Sequence, residues 1–431
     1  MPPVPELPEA PYPLEQDTSM LSRKFGREII NYFSSSPLNR VSFLRTDHAF
    51  LSAALRHPTS SFLLFNNLAP LAKDPAQLAY ASYTDVRPLI GEDPYSKPEA
   101  ELIKEFNSTV TIPQLIFLGI DEKQSEKGLQ WNDYRGAPFF ALDVTPKGTI
   151  EKACTALIED MKSNGLTFIE GRMHTSLSAG EAAIYAQARS LLDWNARNPF
   201  CAQCGHPTLS INAGTKRTCP PTDLASVATP LAASSAPAAA AADPVPSQQR
   251  PPCATRKGVS NISFPRTDPT IIVAVLSADG SRVLLGRARR YPPYWYSTLA
   301  GFVEPAESIE DATRREVWEE AGVRVGRVVI HSTQPWPYPA NLMIGALAQA
   351  LPGGEEISLQ HDPELEDAKW VGVDEISHAL EFGTSGLGEE PSKEYKPGSL
   401  RLPPPTAIAN QLLRAALDGY MLKAGTGEHK I

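Results

Sequence analysis

The sequence lacks a long hydrophobic run, since no stretch reaches the roughly 18 consecutive apolar residues that a membrane-spanning helix needs. Residues 1–17 are acidic and rich in proline and contain no apolar core, so we expect no secretory signal there. An excess of basic charge is also missing, because 40 Lys and Arg residues face 49 Asp and Glu residues and leave a formal net charge of −9. This balance argues against a broad grip on the backbone of long nucleic acid, although an RNA end can still enter a pocket.

Cysteine is scarce, with five residues in the chain, and four of them fall within residues 201–253. Cys201 and Cys204 have the spacing of a zinc knuckle, and in an intracellular setting such clusters favour metal ligation over disulfides. Closing a long loop costs only about 0.6 kcal/mol per doubling of its length, whereas structural zinc contributes roughly 10–16 kcal/mol. We therefore predict one structural Zn²⁺ held by Cys201, Cys204, Cys219 and Cys253, with His206 as a substitute for Cys253 and unrelated free thiols as the alternative.

Residues 301–323 read GFVEPAESIEDATRREVWEEAGV and contain a predicted helix, Ile309–Ala321. Glu316, Glu319 and Glu320 stand at i, i+3 and i+4, so all three project from one face of that helix. Like charges at this spacing repel by a few tenths of a kcal/mol per pair unless a divalent cation lies between them. Hard cations such as Mg²⁺ prefer carboxylate oxygens, so the pattern predicts a metal site.

This segment fits, without a gap, the pattern Gly, five free residues, Glu, seven free residues, Arg-Glu-Val-x-Glu-Glu-x-Gly-Val, and so resembles the Nudix box of hydrolases that cut substituted diphosphates. The resemblance implies that Glu316 and Glu320 bind Mg²⁺ or Mn²⁺, with the carbonyl of Ala300 as a further ligand. Which glutamate is the general base stays open. The implied catalytic residues are Glu316, Glu319, Glu320, Glu307 and Arg315, with Glu307 expected to orient Arg315. The alternative is a solvated acidic helix face, which leaves the matching glycines and arginine unexplained.

Residues 333–343 read TQPWPYPANLM, in which alternating prolines favour a rigid extended backbone and two aromatic rings offer flat faces. The segment is similar to the SQPWPFPxS element of the NADH pyrophosphatase subfamily, with Thr333, Tyr338 and Asn341 replacing Ser, Phe and Ser. The alternative is a proline-rich loop around a buried tryptophan. Residues 264–269 resemble the subfamily's entry into its catalytic domain, and residues 363–370 resemble the segment that carries another metal-binding glutamate, here Glu364, for which a surface acid is the alternative. The implied substrate-binding residues are Phe264, Phe302, Gln334, Pro335, Trp336, Pro337, Tyr338, Pro339, Ala340, Asn341 and Ala409.

The fold class that we predict is α+β, with an N-terminal Nudix-like α/β domain, a zinc ribbon and a C-terminal Nudix α/β/α sandwich. The expected bounds are a disordered tail at 1–17, the first domain at 18–170, a connecting helix at 171–198, the ribbon at 199–268 with a disordered insertion at 220–252, the catalytic domain at 269–424 and a tail at 425–431. Predicted strands are 61–66, 114–120, 138–144, 270–276, 283–287, 327–331, 342–350 and 368–373, and predicted helices are 179–195, 309–321 and 406–423.

The resemblance implies metal-dependent hydrolysis of the diphosphate bond of NADH or NAD to nicotinamide mononucleotide and AMP, and in some members removal of NAD caps from RNA 5′ ends. One alternative is a Nudix hydrolase for ADP-ribose or another nucleoside diphosphate derivative, which leaves the QPWPYP element unexplained. Another is an inactive zinc-ribbon module that binds nucleotides, which would be expected to lose the box glutamates. The resemblance also implies a homodimer. We expect a cytoplasmic or peroxisomal protein, since the terminal His429-Lys430-Ile431 is a distant variant of a peroxisomal address, with an ordinary tail as the alternative.

Overall fold

The computed structural model describes residues 29–171, 176–225, 249–257, 263–304, 307–361 and 364–418, and the chain divides into two compact units. The N-terminal unit comprises Ser36–Leu177 and Ile184–Arg266. The C-terminal unit comprises Met1–Ser35, Ser178–Ala183 and Thr267–Ile431. In the described part of the chain, no helix combines the length and the apolar character needed to cross a membrane.

The N-terminal unit is built on a seven-stranded mixed sheet in the order β3-β2-β1-β6-β4, with β5 paired to β6 and β7 paired to β2. Its strands are β1 (Ser61–Asn66), β2 (Ala69–Asp74), β3 (Gln77–Leu78), β4 (Leu115–Asp121), β5 (Leu129–Trp131), β6 (Tyr134–Asp143) and β7 (Thr167–Phe168), and β8 (Leu209–Ile211) and β9 (Lys216–Thr218) form a separate hairpin. Its helices are α1 (His48–Arg56), α2 (Tyr83–Ile90), α3 (Glu99–Lys104), α4 (Glu151–Ser163) and α5 (Ala179–Arg197), the last of which begins in the segment assigned to the C-terminal unit.

The strand β1 lies in the middle of this sheet and is buried on both faces. Its four central residues, Phe62 to Phe65, are all inaccessible to solvent, and β1 pairs in parallel with β6. A continuous apolar run suits such a strand, because both rows of its side chains pack against other elements. The strand predicted at 61–66 is confirmed, and those predicted at 114–120 and 138–144 are confirmed with shifted bounds.

The C-terminal unit contains a six-stranded sheet in the order β13-β14-β10-β11-β15, with β12 paired to β10. Its strands are β10 (Asp268–Leu276), β11 (Arg282–Ala288), β12 (Leu299–Phe302), β13 (Val325–Trp336), β14 (Asn341–Ala350) and β15 (Leu365–Gly372). Its helices are α6 (Ile309–Ala321), α7 (Val373–Phe382) and α8 (Ile408–Leu417). The strand β10 runs parallel to β14 and antiparallel to β11 and β12.

The strand β10 separates two hydrophobic cores. Ile271, Val273 and Val275 pack on the side of α6, whereas the alternate residues from Ile272 to Leu276 pack on the side of α7 and α8. Side chains of a strand point alternately to opposite faces, so one apolar strand supplies both cores. Helices therefore cover both faces of the sheet, and the predicted α/β/α sandwich is confirmed.

Among the predicted elements of the C-terminal unit, two differ most from their predicted bounds. The strand predicted at 327–331 is the centre of β13, which continues through Pro335 to Trp336 because it lies at the edge of the sheet and pairs with β14 alone. A proline is tolerated on an edge strand, where its missing N–H leaves no ladder bond broken. The helix predicted at 406–423 begins at Ile408 and ends at Leu417.

Several predictions fall on residues outside the described ranges. These are the tails at 1–17 and 425–431, the terminal tripeptide 429–431, and the central part of the insertion, residues 226–248. The described ends of that insertion correct the prediction of disorder from 220 to 252. Arg250 is buried, its guanidinium lies 2.5 Å from the carboxylate of Asp223, and it donates to the Pro207 carbonyl at 2.8 Å. The insertion therefore begins and ends in packed structure.

Candidate functional site

The helix α6 has a defined start and end. Ser308 caps its N-terminus by accepting a hydrogen bond from the Asp311 amide at 3.1 Å, and Gly322 closes its C-terminus at φ 72°. That left-handed conformation favours glycine, and a Cβ at position 322 would lie 2.8 Å from Ser358 Cβ. The two caps fix the ends of the helix that carries the predicted catalytic carboxylates.

Gly301, in β12, provides the space that Glu316 occupies. A Cβ built on Gly301 would lie 1.9 Å from the carboxyl carbon of Glu316, which no real side chain tolerates. The same strand pairs with β10 and places the carbonyl-bearing residue Ala300 opposite Ile272. The first glycine of the box is thus required by the close approach of a carboxylate to the strand.

Arg315 connects three of the predicted catalytic carboxylates. Its Nε donates to Glu307 at 2.6 Å, and its Nη1 donates to Glu316 and to Glu319, each at 2.9 Å. Its Nη2 donates to the carbonyl of Phe302 at 2.8 Å. The planar guanidinium of arginine suits such a fork of acceptors, so Arg315 fixes the orientation of the acidic face.

The pKa values of Glu307 and Glu316 shift in opposite directions, although Arg315 contacts both carboxylates. The hydrogen bond from Arg315 holds the pKa of Glu307 at about 2. Burial raises the pKa of Glu316, against the opposing effect of Arg315, and the nearby charges of Glu319 and Glu364 raise it further. Glu316 is therefore a carboxylate for which a positive charge close by would be strongly stabilising.

A cavity of about 460 Å³ lies next to this helix. Ala300, Glu320 and Glu364 line it together, with Glu320 almost completely buried and Glu364 exposed. The carboxyl group of Glu316 lies next to Gly301, the residue that follows Ala300 in β12. Three of the four residues predicted to bind the catalytic metal thus line one cavity, and Glu316 lies beside the strand that carries Ala300.

The predicted substrate element holds its position through buried polar contacts. Gln334 is 1% exposed, and its amide nitrogen donates to the carbonyls of Tyr32 and Thr406 at 3.0 and 2.9 Å. Its oxygen accepts from the Ile408 amide at 2.9 Å. The side chain of Gln334 therefore links β13 to α8 and to the N-terminal segment through hydrogen bonds. Because these bonds occupy its side-chain amide, Gln334 can contact a substrate through its backbone.

The other residues of that element are distributed along the end of β13 and the start of β14. Trp336 and Tyr338 pack edge to face with ring centroids 5.4 Å apart. Asn341 donates to Thr270 Oγ1 at 3.2 Å, and the carbonyl of Ala340 accepts from the Asp268 amide at 2.9 Å. Pro335 pairs with Leu342 in the sheet, Pro337 follows Trp336, and the Tyr338–Pro339 peptide bond is cis.

The remaining predicted substrate residues belong to other segments of the chain. Phe302 follows Gly301 directly and is 56% exposed. Ala409 is buried in the first turn of α8, so its backbone is the part available to a ligand. Phe264 belongs to the N-terminal unit, where the Lys216 ammonium lies 5.1 Å from its ring centroid.

The four cysteines of the ribbon converge in the N-terminal unit. Their Sγ atoms all lie within 4.8 Å of one another, with 3.4 Å between Cys201 and Cys253 and 3.5 Å between Cys204 and Cys219. Four sulfurs around a tetrahedral zinc at about 2.3 Å would stand about 3.8 Å apart, so the donor set fits Zn²⁺. His206 contributes its backbone carbonyl to Cys201 and is not in the cluster.

Burial raises the pKa of two thiols of the cluster, Cys201 and Cys204, and the other two cysteines have neighbours of a different kind. Although burial raises the pKa of Cys253, hydrogen bonds from Thr255 lower it to about 7. The guanidinium groups of Arg250 and Arg256 lie 4.0 and 3.9 Å from Cys219 Sγ. Zinc binds the thiolate form, so these positive charges support metal binding.

Comparison with known proteins agrees with this geometry. The family profile for the NUDIX domain matches residues 266–387, that for the NADH pyrophosphatase-like rudimentary NUDIX domain matches 59–194, and that for the NADH pyrophosphatase zinc ribbon matches 196–226. The chain is 32% identical to the NAD-capped RNA hydrolase of Schizosaccharomyces pombe over 89% of this chain and 92% of that protein. The chain belongs to the Nudix hydrolase family.

Two human relatives extend the comparison. A human NAD-capped RNA hydrolase is 33% identical over 90% of this chain and 73% of its own length. The human mitochondrial NAD(P)H pyrophosphatase is 29% identical over 83% of this chain and 84% of its own length. Membership of this Nudix branch implies a divalent cation at the carboxylates and zinc at the cysteines. Carboxylate oxygens are the donors that a hard cation prefers, and the cluster of four sulfurs fits zinc.

Sequence reasoning missed two groups of residues in this Nudix hydrolase. Asn31 donates to Ser332 Oγ and to the Thr333 carbonyl, and the ring of Phe33 packs edge to face on Trp336 and Tyr338. No pattern links the N-terminus to residues 332–338, because their contact depends on the tertiary fold. The second group comprises the cavity-lining residues Arg289, Arg290 and Tyr291, for which the run of basic residues after β11 was the available signal.

Proposed function

We propose that this Nudix hydrolase cleaves the diphosphate bond of NADH or NAD, giving nicotinamide mononucleotide and AMP, and removes NAD caps from RNA 5′ ends. The observation that carries the proposal is the cavity shared by Ala300, Glu320 and Glu364 beside the face of α6 that Arg315 organises. The similarity to proteins named NAD-capped RNA hydrolase and NAD(P)H pyrophosphatase over most of the chain supports this choice of substrate.

The catalytic cation in this proposal is Mg²⁺ or Mn²⁺, held by Glu316, Glu320, Glu364 and the carbonyl of Ala300. When bound, it polarises the phosphoryl oxygens and lowers the pKa of water. The reaction adds one water across the P–O–P bridge, so that one product gains a hydroxyl and the other keeps the bridging oxygen. Glu319 is the carboxylate proposed to assist the cation or to accept the proton of the water.

Arg315 and Glu307 are proposed as the positioning pair of this site. Arg315 holds Glu316 and Glu319 side by side and is itself held by both oxygens of Glu307. Because the guanidinium is anchored by Glu307 and by the Phe302 carbonyl, it cannot turn away when the acids engage a cation. Preorganised charges of this kind are a main source of rate enhancement in phosphoryl transfer.

The aromatic residues of the site are proposed to contact the bases of the dinucleotide. Trp336 and Tyr338 present two adjoining rings at the end of β13, and the exposed Phe302 is the last residue of β12, the strand that carries Ala300. The wider proposed substrate set comprises Phe264, Phe302, Gln334, Pro335, Trp336, Pro337, Tyr338, Pro339, Ala340, Asn341 and Ala409. For Phe264 the support is the resemblance of residues 264–269 alone.

The remaining parts of the proposal concern organisation. Zn²⁺ is proposed to be structural, because four thiolates leave no open coordination position. The domain bounds given above, a homodimer in which an aromatic residue of one subunit completes the pocket of the other, and a cytoplasmic or peroxisomal location are proposed on resemblance. Equilibrium sedimentation and a fluorescent fusion with residues 429–431 exposed or deleted would test the last two.

The direct test is product analysis of NADH incubated with the wild-type protein and with Glu320→Gln, in the presence of Mg²⁺ or Mn²⁺. We expect AMP and reduced nicotinamide mononucleotide from the wild type and at least a 100-fold loss in the variant, with zinc content unchanged. ADP-ribose at the same concentration serves as the competing substrate. Faster turnover of ADP-ribose than of NADH, NAD and NAD-capped RNA would contradict the proposal.

A further inference from the structure

The cavity beside α6 carries positive as well as negative groups. The strand β11 ends at Ala288, and the next three residues, Arg289, Arg290 and Tyr291, line the same cavity as Glu320 and Glu364. Both arginines are exposed, and the Arg290 guanidinium carbon lies 5.6 Å from the centroid of the Tyr291 ring. Glu320 is therefore the buried charge of this space, whereas Glu364 and the two arginines are exposed at its mouth.

Arg289 and Arg290 differ from the nearby Arg287 in their ion pairs. Arg287, on the preceding strand, lies 3.1 Å from a Glu366 oxygen and is neutralised by it. Within the described ranges, neither Arg289 nor Arg290 lies within 4.0 Å of a carboxylate oxygen in an ion pair, although two acids line the same cavity. The chain as a whole is acidic, with a net charge of −9. Two adjacent, uncompensated guanidinium groups at a cavity mouth are well suited to bind a phosphate.

We propose that Arg289 and Arg290 bind the phosphodiester that follows the adenosine of an NAD-capped RNA. This inference rests on the proposed function and adds residues that select the RNA substrate. The diphosphate bridge must reach the carboxylates inside the cavity, so the part of the ligand at the exposed mouth is the part that leads away from the bridge. A free dinucleotide has no phosphate beyond its bridge, whereas the adenosine of a capped RNA carries a 3′ phosphodiester.

Binding of a capped RNA at Arg289 and Arg290 is compatible with the negative net charge of the protein. Long-range attraction of RNA is not available, because the net charge is negative. A local pair of arginines gives a short-range contact to one phosphate, which does not depend on the net charge of the protein. Recognition of a capped RNA would then depend on its first nucleotides rather than on its length.

The test compares the double variant Arg289→Ala/Arg290→Ala with the double variant Arg324→Ala/Arg327→Ala. The control arginines are also exposed, belong to the same unit and are not among the residues that line the cavity, so both variants remove two positive charges. We expect kcat/KM for an NAD-capped oligonucleotide to fall about 10-fold in the first variant only, and kcat/KM for NADH to stay within about 2-fold in both. The salt dependence of log(kcat/KM) for capped RNA should become less steep by about 0.7.

Binding of a product analogue tests the contact without turnover. Fluorescence anisotropy of a labelled trinucleotide that begins with 5′-phosphoadenosine, with unlabelled AMP as competitor, gives both affinities. In the wild type the trinucleotide should bind about 10-fold more tightly than AMP, and Arg289→Ala/Arg290→Ala should remove that difference, whereas Arg289→Lys/Arg290→Lys should keep part of it.

Failure of the proposed function and failure of the inference about Arg289 and Arg290 would give different results. If the wild type cleaves neither NADH nor capped RNA with either cation, the proposed function is wrong, and the trinucleotide measurement still tests the arginines. If the wild type is active and the double variant loses NADH and capped RNA equally, the arginines bind the shared diphosphate and the inference is overturned. Unchanged rates and unchanged trinucleotide affinity would overturn it as well.

Discussion

The side-chain amide of Asn31 donates a hydrogen bond of 3.0 Å to Ser332 Oγ, joining residues 301 positions apart in the sequence. The same nitrogen donates to the carbonyl of Thr333 at 2.9 Å, and Asn31 is 1% exposed. The N-terminal segment is therefore part of the C-terminal unit, where it supports the end of β13. This is the strand that continues into the proposed base-binding element.

Substitution of Asn31 should loosen that strand. Asn31→Ala removes two hydrogen bonds and leaves the buried hydroxyl of Ser332 without this donor, so we expect the free energy of unfolding of the C-terminal unit to fall by about 1–3 kcal/mol. Urea denaturation followed by tryptophan fluorescence measures the change. Asn164→Ala, at an exposed helix end, is the control and should shift stability by less than about 0.5 kcal/mol. Equal midpoints for the two variants would show that the Asn31 contacts contribute nothing.

Gly301→Ala should abolish most of the activity. The added methyl would lie 1.9 Å from the carboxyl carbon of Glu316, so the carboxylate must leave its position or the strand must shift. We expect kcat for NADH to fall at least about 100-fold, as for misplaced catalytic groups. Gly372→Ala is the matched control, because a Cβ there meets nothing within 4 Å. A Gly301→Ala enzyme with wild-type kcat would contradict the placement of Glu316.

Arg315→Lys should lower kcat strongly although the substitution keeps the positive charge. An ammonium group cannot reproduce the contacts of Arg315 with three carboxylates and a backbone carbonyl. We expect kcat to fall about 10- to 100-fold with a higher Mn²⁺ concentration needed for half-maximal activity. Arg314→Lys, on the exposed side of the same helix, is the control and should stay within about 2-fold of the wild type. Similar kinetics for both variants would exclude a positioning role for Arg315.

Cys253→Ser should release zinc from the ribbon. Cys253 Sγ lies 3.4 Å from Cys201 Sγ and 3.7 Å from Cys204 Sγ, so its loss removes one of the four donors. We expect the zinc content by elemental analysis to fall from about one ion per chain and the protein to unfold at a lower temperature. Cys154→Ser, a buried cysteine outside the cluster, should keep its zinc. Full zinc occupancy in Cys253→Ser would favour another fourth ligand.

The sequence predicts best those features that depend on local spacing. The helix Ile309–Ala321 begins and ends where it was predicted, because a serine cap, a C-terminal glycine and the i, i+3, i+4 spacing of glutamates are all encoded within one short segment. The cysteine site could also be predicted from the sequence. Four cysteines in one segment indicate a zinc site whatever the structure of the insertion between Cys219 and Cys253 is. The helix α7 was missed because its short apolar pattern follows directly on a predicted strand.

The sequence by itself determined the acidic helix face, the cysteine set and the aromatic, proline-rich element. Only the tertiary structure decided that the buried side chain of Gln334 links β13 to the start of α8 and that Asn31 supports β13. It also decided that Arg289 and Arg290 line the same cavity as the carboxylates. The physical reason is that periodicity and capping act over a few residues. Sheet pairing and burial bring together residues hundreds of positions apart, and no local pattern records which of them will meet.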